Sequence, residues 1–255
     1  MDVAEKSYYP YFDYLRIILA LVVMLYHDNI IQWHHSGSLA VDVFFALSGW
    51  LIGSILLKTA KEELPRFYFN RAIRIWIPYY IALIFIVCAS LLKDPINAQW
   101  FEFISYKLTW VYNLFGPPQL ADAKQLMPLD GTGNHFWSVN AEEQFYLLAP
   151  LILVLLGTTG KKVATWVLIA AALYFLDVYA SISFGVLAAV FKHEYGEFHQ
   201  SRYCKFICFA TLLAAITALY FDYNYTTVAP FLAISTVLLL AIKGKKSKVG
   251  VFLGG

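Results

Sequence analysis

Charge is what this sequence has least of. Only 14% of its 255 residues are Asp, Glu, Lys or Arg, while 60% are hydrophobic and 18% aromatic. A soluble domain carries about 25% charged residues, so an ordinary water-soluble fold is excluded and an integral membrane protein is implied. Cysteine is scarce as well. Cys88, Cys204 and Cys208 stand in or beside apolar segments, odd in number and without repeated spacing, which argues against a disulfide framework or a zinc site, so no metal is expected. They read as small buried hydrophobes, with lipid attachment at Cys204 the lesser alternative. No basic stripe interleaved with aromatics lies outside the apolar segments, so nucleic acid is not an expected partner. No small-x-small cleavage signature follows the first apolar segment, which continues as Tyr26-His-Asp-Asn-Ile-Ile-Gln-Trp33; it is expected to stay as a span. No Gly-x-Ser-x-Gly elbow is present, which speaks against a serine acyl-enzyme of the hydrolase type.

What is present is a series of apolar stretches near the roughly 20 residues that a span needs. Eight are expected, at about 13–31, 38–57, 75–92, 136–156, 162–178, 180–191, 205–221 and 226–242. The aromatic region 97–118 is expected at the membrane interface, as an amphipathic or re-entrant segment. With the N-terminus cytoplasmic, the inner connections hold Lys58, Lys61, Arg66, Arg71, Arg74, Lys161, Lys162, Lys192, Arg202 and Lys205. The inner tail adds Lys243, Lys245, Lys246 and Lys248, against Lys93, Lys107 and Lys124 outside. Positive charge collects in cytoplasmic loops, so both termini are expected inside. The expected fold is an all-α, polytopic bundle of about eight transmembrane helices, read as one domain over residues 1–255.

The fourth stretch is the most unusual. It opens His135-Phe-Trp-Ser-Val-Asn-Ala-Glu-Glu-Gln-Phe-Tyr146. An ionisable group inside a span costs roughly 2.5–3.5 kcal/mol, so such groups usually face a cavity or partners and mark function. His135, Ser138 and Glu142 share one helical face, with Glu143 on the next stripe.

Other spans carry smaller signals. Arg16 and His27 lie on one face of the first, about 16 Å apart along the axis. Arg16 reaching back to the headgroups and His27 at the interface are the bland readings. Asp42 sits near the outer end of the second span; Ser48 can satisfy a backbone carbonyl. Gly49 and Gly53 have the spacing that lets helices approach closely. Arg71 and Arg74, three apart, are expected on one face, where two guanidiniums suit a phosphate-rich ligand. The intramembrane ionisable residues also license a proton-coupled transporter or exporter, although the two halves show none of the self-similarity that transporters often carry.

Taken in order, these blocks resemble one family. Tyr14-Leu-Arg16 with His27, Val41-Asp-Val-Phe-Phe-Ala-Leu-Ser-Gly49, Arg71-Ala-Ile-Arg74 and Phe136-Trp-Ser-Val-Asn-Ala-Glu-Glu-Gln-Phe-Tyr-Leu147 are similar to the motifs of the membrane acyltransferase-3 family. Its members are multi-pass O-acyltransferases of cell-surface glycans. The resemblance implies transfer of an acyl group, usually acetyl from acetyl-CoA as co-substrate, to a hydroxyl of an extracytoplasmic glycan or lipid-linked sugar. It places the protein in the cell (cytoplasmic) membrane, among membrane lipid. On that reading Arg71 and Arg74 hold the donor phosphates, and His27 is general base or acyl relay. Arg16 orients or balances the site. Glu142 and Glu143 orient the base or contact the acceptor, with Asp42, Ser48, His135 and Ser138 in support. Relative to the family the chain is expected to be short at its C-terminus, stopping at Val249–Gly255 where a further helix would begin. An inactive, truncated member is therefore a further alternative.

Overall fold

The computed structural model describes residues 8–115 and 136–245, and every regular element among them is helical. In chain order these are α1 (Pro10–His27), α2 (Ser36–Leu56), α3 (Leu64–Arg71), α4 (Ile77–Lys93), α5 (Ala98–Leu108) and α6 (Tyr112–Phe115). There follow α7 (Phe136–Pro150), α8 (Val163–Phe175), α9 (Ala180–Tyr195), α10 (Arg202–Tyr220) and α11 (Tyr225–Leu240). Two π-helical segments, Ala72–Trp76 and Leu151–Leu155, interrupt or extend them. Among the described residues four helices are long and apolar enough to cross a membrane: Pro10–His27, Ser36–Leu56, the continuous Lys61–Lys93, and Arg202–Tyr220. The shorter Val163–Phe175 and Tyr225–Leu240 are also apolar. This is an integral membrane protein.

Several boundaries differ from expectation. The first helix ends at His27, because Asp28 and Asn29 turn the chain and Asn29 takes a left-handed conformation (φ 57°). The third is far longer than 75–92, running 33 residues from Lys61. Nor is Cys88 buried: it is exposed on α4, while Cys208 is buried.

The chain divides into two compact units, Met1–Lys58 with Leu156–Gly255, and Thr59–Leu155. In the first, α2 is the central helix, with Ala46, Leu47, Trp50, Ile52 and Leu56 buried. Its glycines explain how α9 comes so near. A Cβ on Gly49 would stand 2.1 Å from the Ile182 carbonyl oxygen, and one on Gly185 would stand 2.1 Å from that of Ala46. The two backbones touch at a reciprocal pair of glycines, as small residues allow. The Gly49–Gly53 spacing pointed to this contact; its counterpart Gly185 did not stand out. At one end of this unit Gly244 N–H donates to the Tyr8 carbonyl, and Glu197 is shared by Lys192 (3.3 Å) and Lys243 (2.7 Å). At the other end the His35 ring stacks on Tyr225.

In the second unit α3, the π segment and α4 form one long helix. Pro78 has no N–H to give the Arg74 carbonyl, and its ring presses on that carbonyl. Widening the helix over Ala72–Trp76 relieves the conflict. Beside α4, the helix α5 buries Trp100, Phe103, Ile104 and Lys107 and leaves Phe101 and Leu108 exposed, an amphipathic helix. Trp110 stacks on Tyr79 at 3.9 Å, and the fully buried Lys107 ammonium lies 3.5 Å from the Tyr112 ring centroid.

Candidate active site

The first turns of α7 carry the polar run, and the second unit sorts it into two groups. Asn140 and Gln144 serve the fold. Asn140 meets the Tyr79 hydroxyl (3.3 Å), which itself donates to the Lys107 carbonyl (2.7 Å). Gln144 donates to the Trp110 carbonyl (2.7 Å) and exchanges hydrogen bonds with the Asn113 amide (2.8 and 3.0 Å). These amides hold α5 and α6 against α7, including Trp110 in its left-handed backbone (φ 60°).

The carboxylates face elsewhere. Glu142 accepts from the Tyr146 hydroxyl one turn on. Glu143, 2% exposed, accepts from the Trp76 indole N–H at 2.7 Å through Oε2. Its Oε1 is buried with no hydrogen-bond partner among the described residues. A buried polar atom left unpartnered costs about 1–3 kcal/mol and calls for an explanation. Beside it is a cavity of about 450 Å³ lined by Tyr68, Phe69, Arg71, Ala72, Trp76, Glu143, Tyr146 and Leu147.

Arg71 stands in the same wall. Its guanidinium lies over the Tyr146 ring (5.0 Å) and the Phe67 ring (5.8 Å). No carboxylate of the described residues reaches salt-bridge distance of it. A guanidinium stacked on rings keeps its N–H edge for an oxygen-rich ligand. Arg74 does not join it. In the wider π turn residues three apart no longer share a face, and Arg74 is exposed outside the cavity lining. π segments recur at functional sites; this one turns Arg71 and Trp76 inward together.

The remaining expected site residues are placed as follows. Arg16 pairs with Asp13 at 3.3 Å on α1, and Asp13 also accepts from the Tyr8 hydroxyl. His27 is the last residue of α1, exposed, eleven residues beyond Arg16, so helix rise keeps them about 16 Å apart. Both belong to the first unit, whereas Arg71, Arg74, Glu142 and Glu143 belong to the second. Asp42 is held by the hydroxyls of Ser181 (2.6 Å) and Tyr225 (2.5 Å), which makes it a link between α2, α9 and α11. Ser48 and Ser138 are half-buried on α2 and α7. His135 lies outside the described residues.

Residues 9–253 match the acyltransferase family 3, described as an acyltransferase domain. The chain belongs to this family. Over 168 residues it is 37% identical to a Staphylococcus aureus (strain COL) protein named "Putative O-acetyltransferase", covering 62% of this chain and 27% of the other. Over 161 residues it is 34% identical to the O-acetyltransferase OatA of Staphylococcus aureus (strain NCTC 8325 / PS 47), covering 60% and 26%. The chain thus spans about a quarter of the length of these acyltransferase relatives. No solved structure matches it.

Within this acyltransferase fold, sequence reasoning reached Arg71 and Glu143 but missed Trp76, Tyr68 and Tyr146 as their companions. Tyr146 could have been found, since it follows Glu142 by one helical turn on the same face. Trp76 could not, because its register depends on the π segment.

Proposed function

We propose that the chain is a membrane O-acetyltransferase module. It passes an acetyl group from acetyl-CoA to a hydroxyl of an extracytoplasmic glycan. The observation that carries this reading is the second-unit cavity, lined by an arginine and a carboxylate oxygen that have, among the described residues, no ion-pair or hydrogen-bond partner respectively. The O-acetyltransferase names of the relatives support the same chemistry. In this scheme eight helices span the cell membrane with both termini cytoplasmic, and Arg71 draws the donor to the cavity. Arg74, exposed on the next turn, meets the outlying phosphates. His27 takes the proton of the acceptor hydroxyl as its oxygen attacks the thioester carbonyl. The C–S bond breaks, and the proton passes to the departing CoA thiolate. General-base help of that kind is typically worth about 10²–10⁴-fold in rate. Glu142 and Glu143 contact the acceptor, Glu143 through the carboxylate oxygen that no described residue holds. Arg16, paired with Asp13, balances charge in the unit that carries the base.

The test is acetyl-CoA binding by the purified chain in detergent, beside Arg71→Ala. Saturable binding that weakens about ten-fold or more in the variant is expected. Equal affinity in both proteins would remove Arg71 from the donor site and with it this assignment of the cavity.

A further inference from the structure

The first unit holds a second cluster of reactive side chains, none of which the acyl transfer uses. His34 and His35 close the connection from α1 to α2, and Asp222 stands in the turn between α10 and α11. One donor atom from each of the three lies within 4.8 Å of the other two. The histidine rings are 3.7 Å apart at their centroids.

We propose that His34, His35 and Asp222 form a binding site for a divalent transition-metal ion of the Zn²⁺ class, clipping the chain that leaves α1 to the α10–α11 turn. Zinc binds imidazole nitrogen and carboxylate oxygen at about 2.0–2.2 Å, so two donors on one ion stand at most about 4.4 Å apart. The three observed donors, all within 4.8 Å of one another, stand close to that limit. Two imidazoles with one carboxylate select zinc, nickel or copper over calcium or magnesium, which take oxygen ligands.

The donors sit on supported backbone, as a metal site requires. The Ser36 hydroxyl and N–H both donate to the Trp33 carbonyl (2.6 and 3.0 Å), fixing the turn that presents the two histidines. The His35 ring stacks on Tyr225 at 4.8 Å and 16°, and the Tyr225 hydroxyl is anchored on Asp42. Asn224 caps α11 by accepting from the Thr226 N–H (3.0 Å), which secures the turn carrying Asp222. His35 is half-buried, while His34 and Asp222 are exposed and reachable by an ion from solvent. The consequence is mechanical. His34 follows His27 by seven residues, so a bound ion would fix the exit of the helix that ends in His27.

The experiment is calorimetric titration of Zn²⁺ into the tag-free chain in detergent at about pH 7.5, because protons compete with the metal for its ligands at lower pH. One ion per chain is expected, with affinity falling at least about ten-fold in His34→Gln and in Asp222→Asn. Both substitutions are at exposed positions, and their metal-free melting temperatures should equal the parent's. Trp33 gives a second reading, because its ring lies 5.6 Å from that of His35. Cu²⁺ should quench part of the tryptophan fluorescence in the parent, and Trp33→Phe should lose that part while still binding Zn²⁺. Absence of saturable binding, or binding unchanged in both ligand variants, would overturn the proposal.

Discussion

Asp42 and Glu143 are both carboxylates set into apolar helices, and the protein treats them in opposite ways. Asp42 has each oxygen occupied by a hydroxyl, from Ser181 on α9 and Tyr225 on α11. It joins three helices beside the close glycine contact of α2 and α9. Glu143 has one oxygen on Trp76 and the other buried beside a cavity with no partner among the described residues. Residue type and hydropathy do not separate these two acids. What separates them is whether the surrounding helices bring enough donors. A carboxylate with both oxygens held serves structure, whereas one left half-held in front of an open volume is poised for a ligand or a proton.

Experiments can break or sharpen that contrast. The largest effect is expected beside Asp42. Gly49→Leu places a side chain against the Ile182 carbonyl, a backbone atom that cannot swing aside, so its cost should exceed the roughly 1–3 kcal/mol of ordinary overpacking. Loss of monodisperse protein in size-exclusion chromatography would show it; a variant that melts with the parent would mean the contact is looser than described. Next is Glu143→Gln, expected to slow acetyl transfer by about 10²–10⁴-fold while the melting temperature barely moves. An unslowed variant would place Glu143 with Asp42 as a structural acid. Asp42→Ala should do the reverse. It strands the Tyr225 and Ser181 hydroxyls at about 1–3 kcal/mol each, lowering thermal stability while acetyl-CoA affinity in the surviving fold holds.

The smallest effect concerns a third carboxylate, outside the spans. Burial alone would raise the Glu197 carboxyl, but Lys243 and Lys192 outweigh it and hold it below its ordinary value. The folded state therefore holds this proton more weakly than the unfolded chain does. Glu197 contributes stability above the unfolded value, near pH 4.5, and loses it as pH falls through the folded value. Because the group is partly exposed, under about 1 kcal/mol is at stake. Glu197→Gln should flatten the acid limb of the melting-temperature profile between about pH 5 and 3. An unchanged limb would show that these lysines are held by solvent rather than by Glu197.

Much of this was legible in residue order. Apolar run lengths gave the helical, membrane-embedded class, and the Gly49–Gly53 spacing marked a close helix contact. Ionisable residues at the start of α7 pointed to the wall that carries Glu143, because a carboxylate in an apolar helix is too costly to be incidental. The same logic treated Asn140 and Gln144 as part of the anomaly, yet they hold α5 and α6 in place. Lys107 counted as one outer-loop charge, although it is buried under Tyr112. A count of charges cannot see that an aromatic face covers one of them.

Composition and periodicity thus determined by themselves what each segment must be: helical where backbone groups have no water to bond, apolar where they meet lipid, and polar only where partners exist. Tertiary structure alone decided who the partners are. Pro78 forces a π segment, and that change of register turns Trp76 toward Glu143 and separates Arg74 from Arg71. Ser181 and Tyr225, far from Asp42 in sequence, reach it because α9 can approach α2 at glycine. Local pattern fixes which way a side chain leaves its helix; only the packing of distant helices fixes what it finds there.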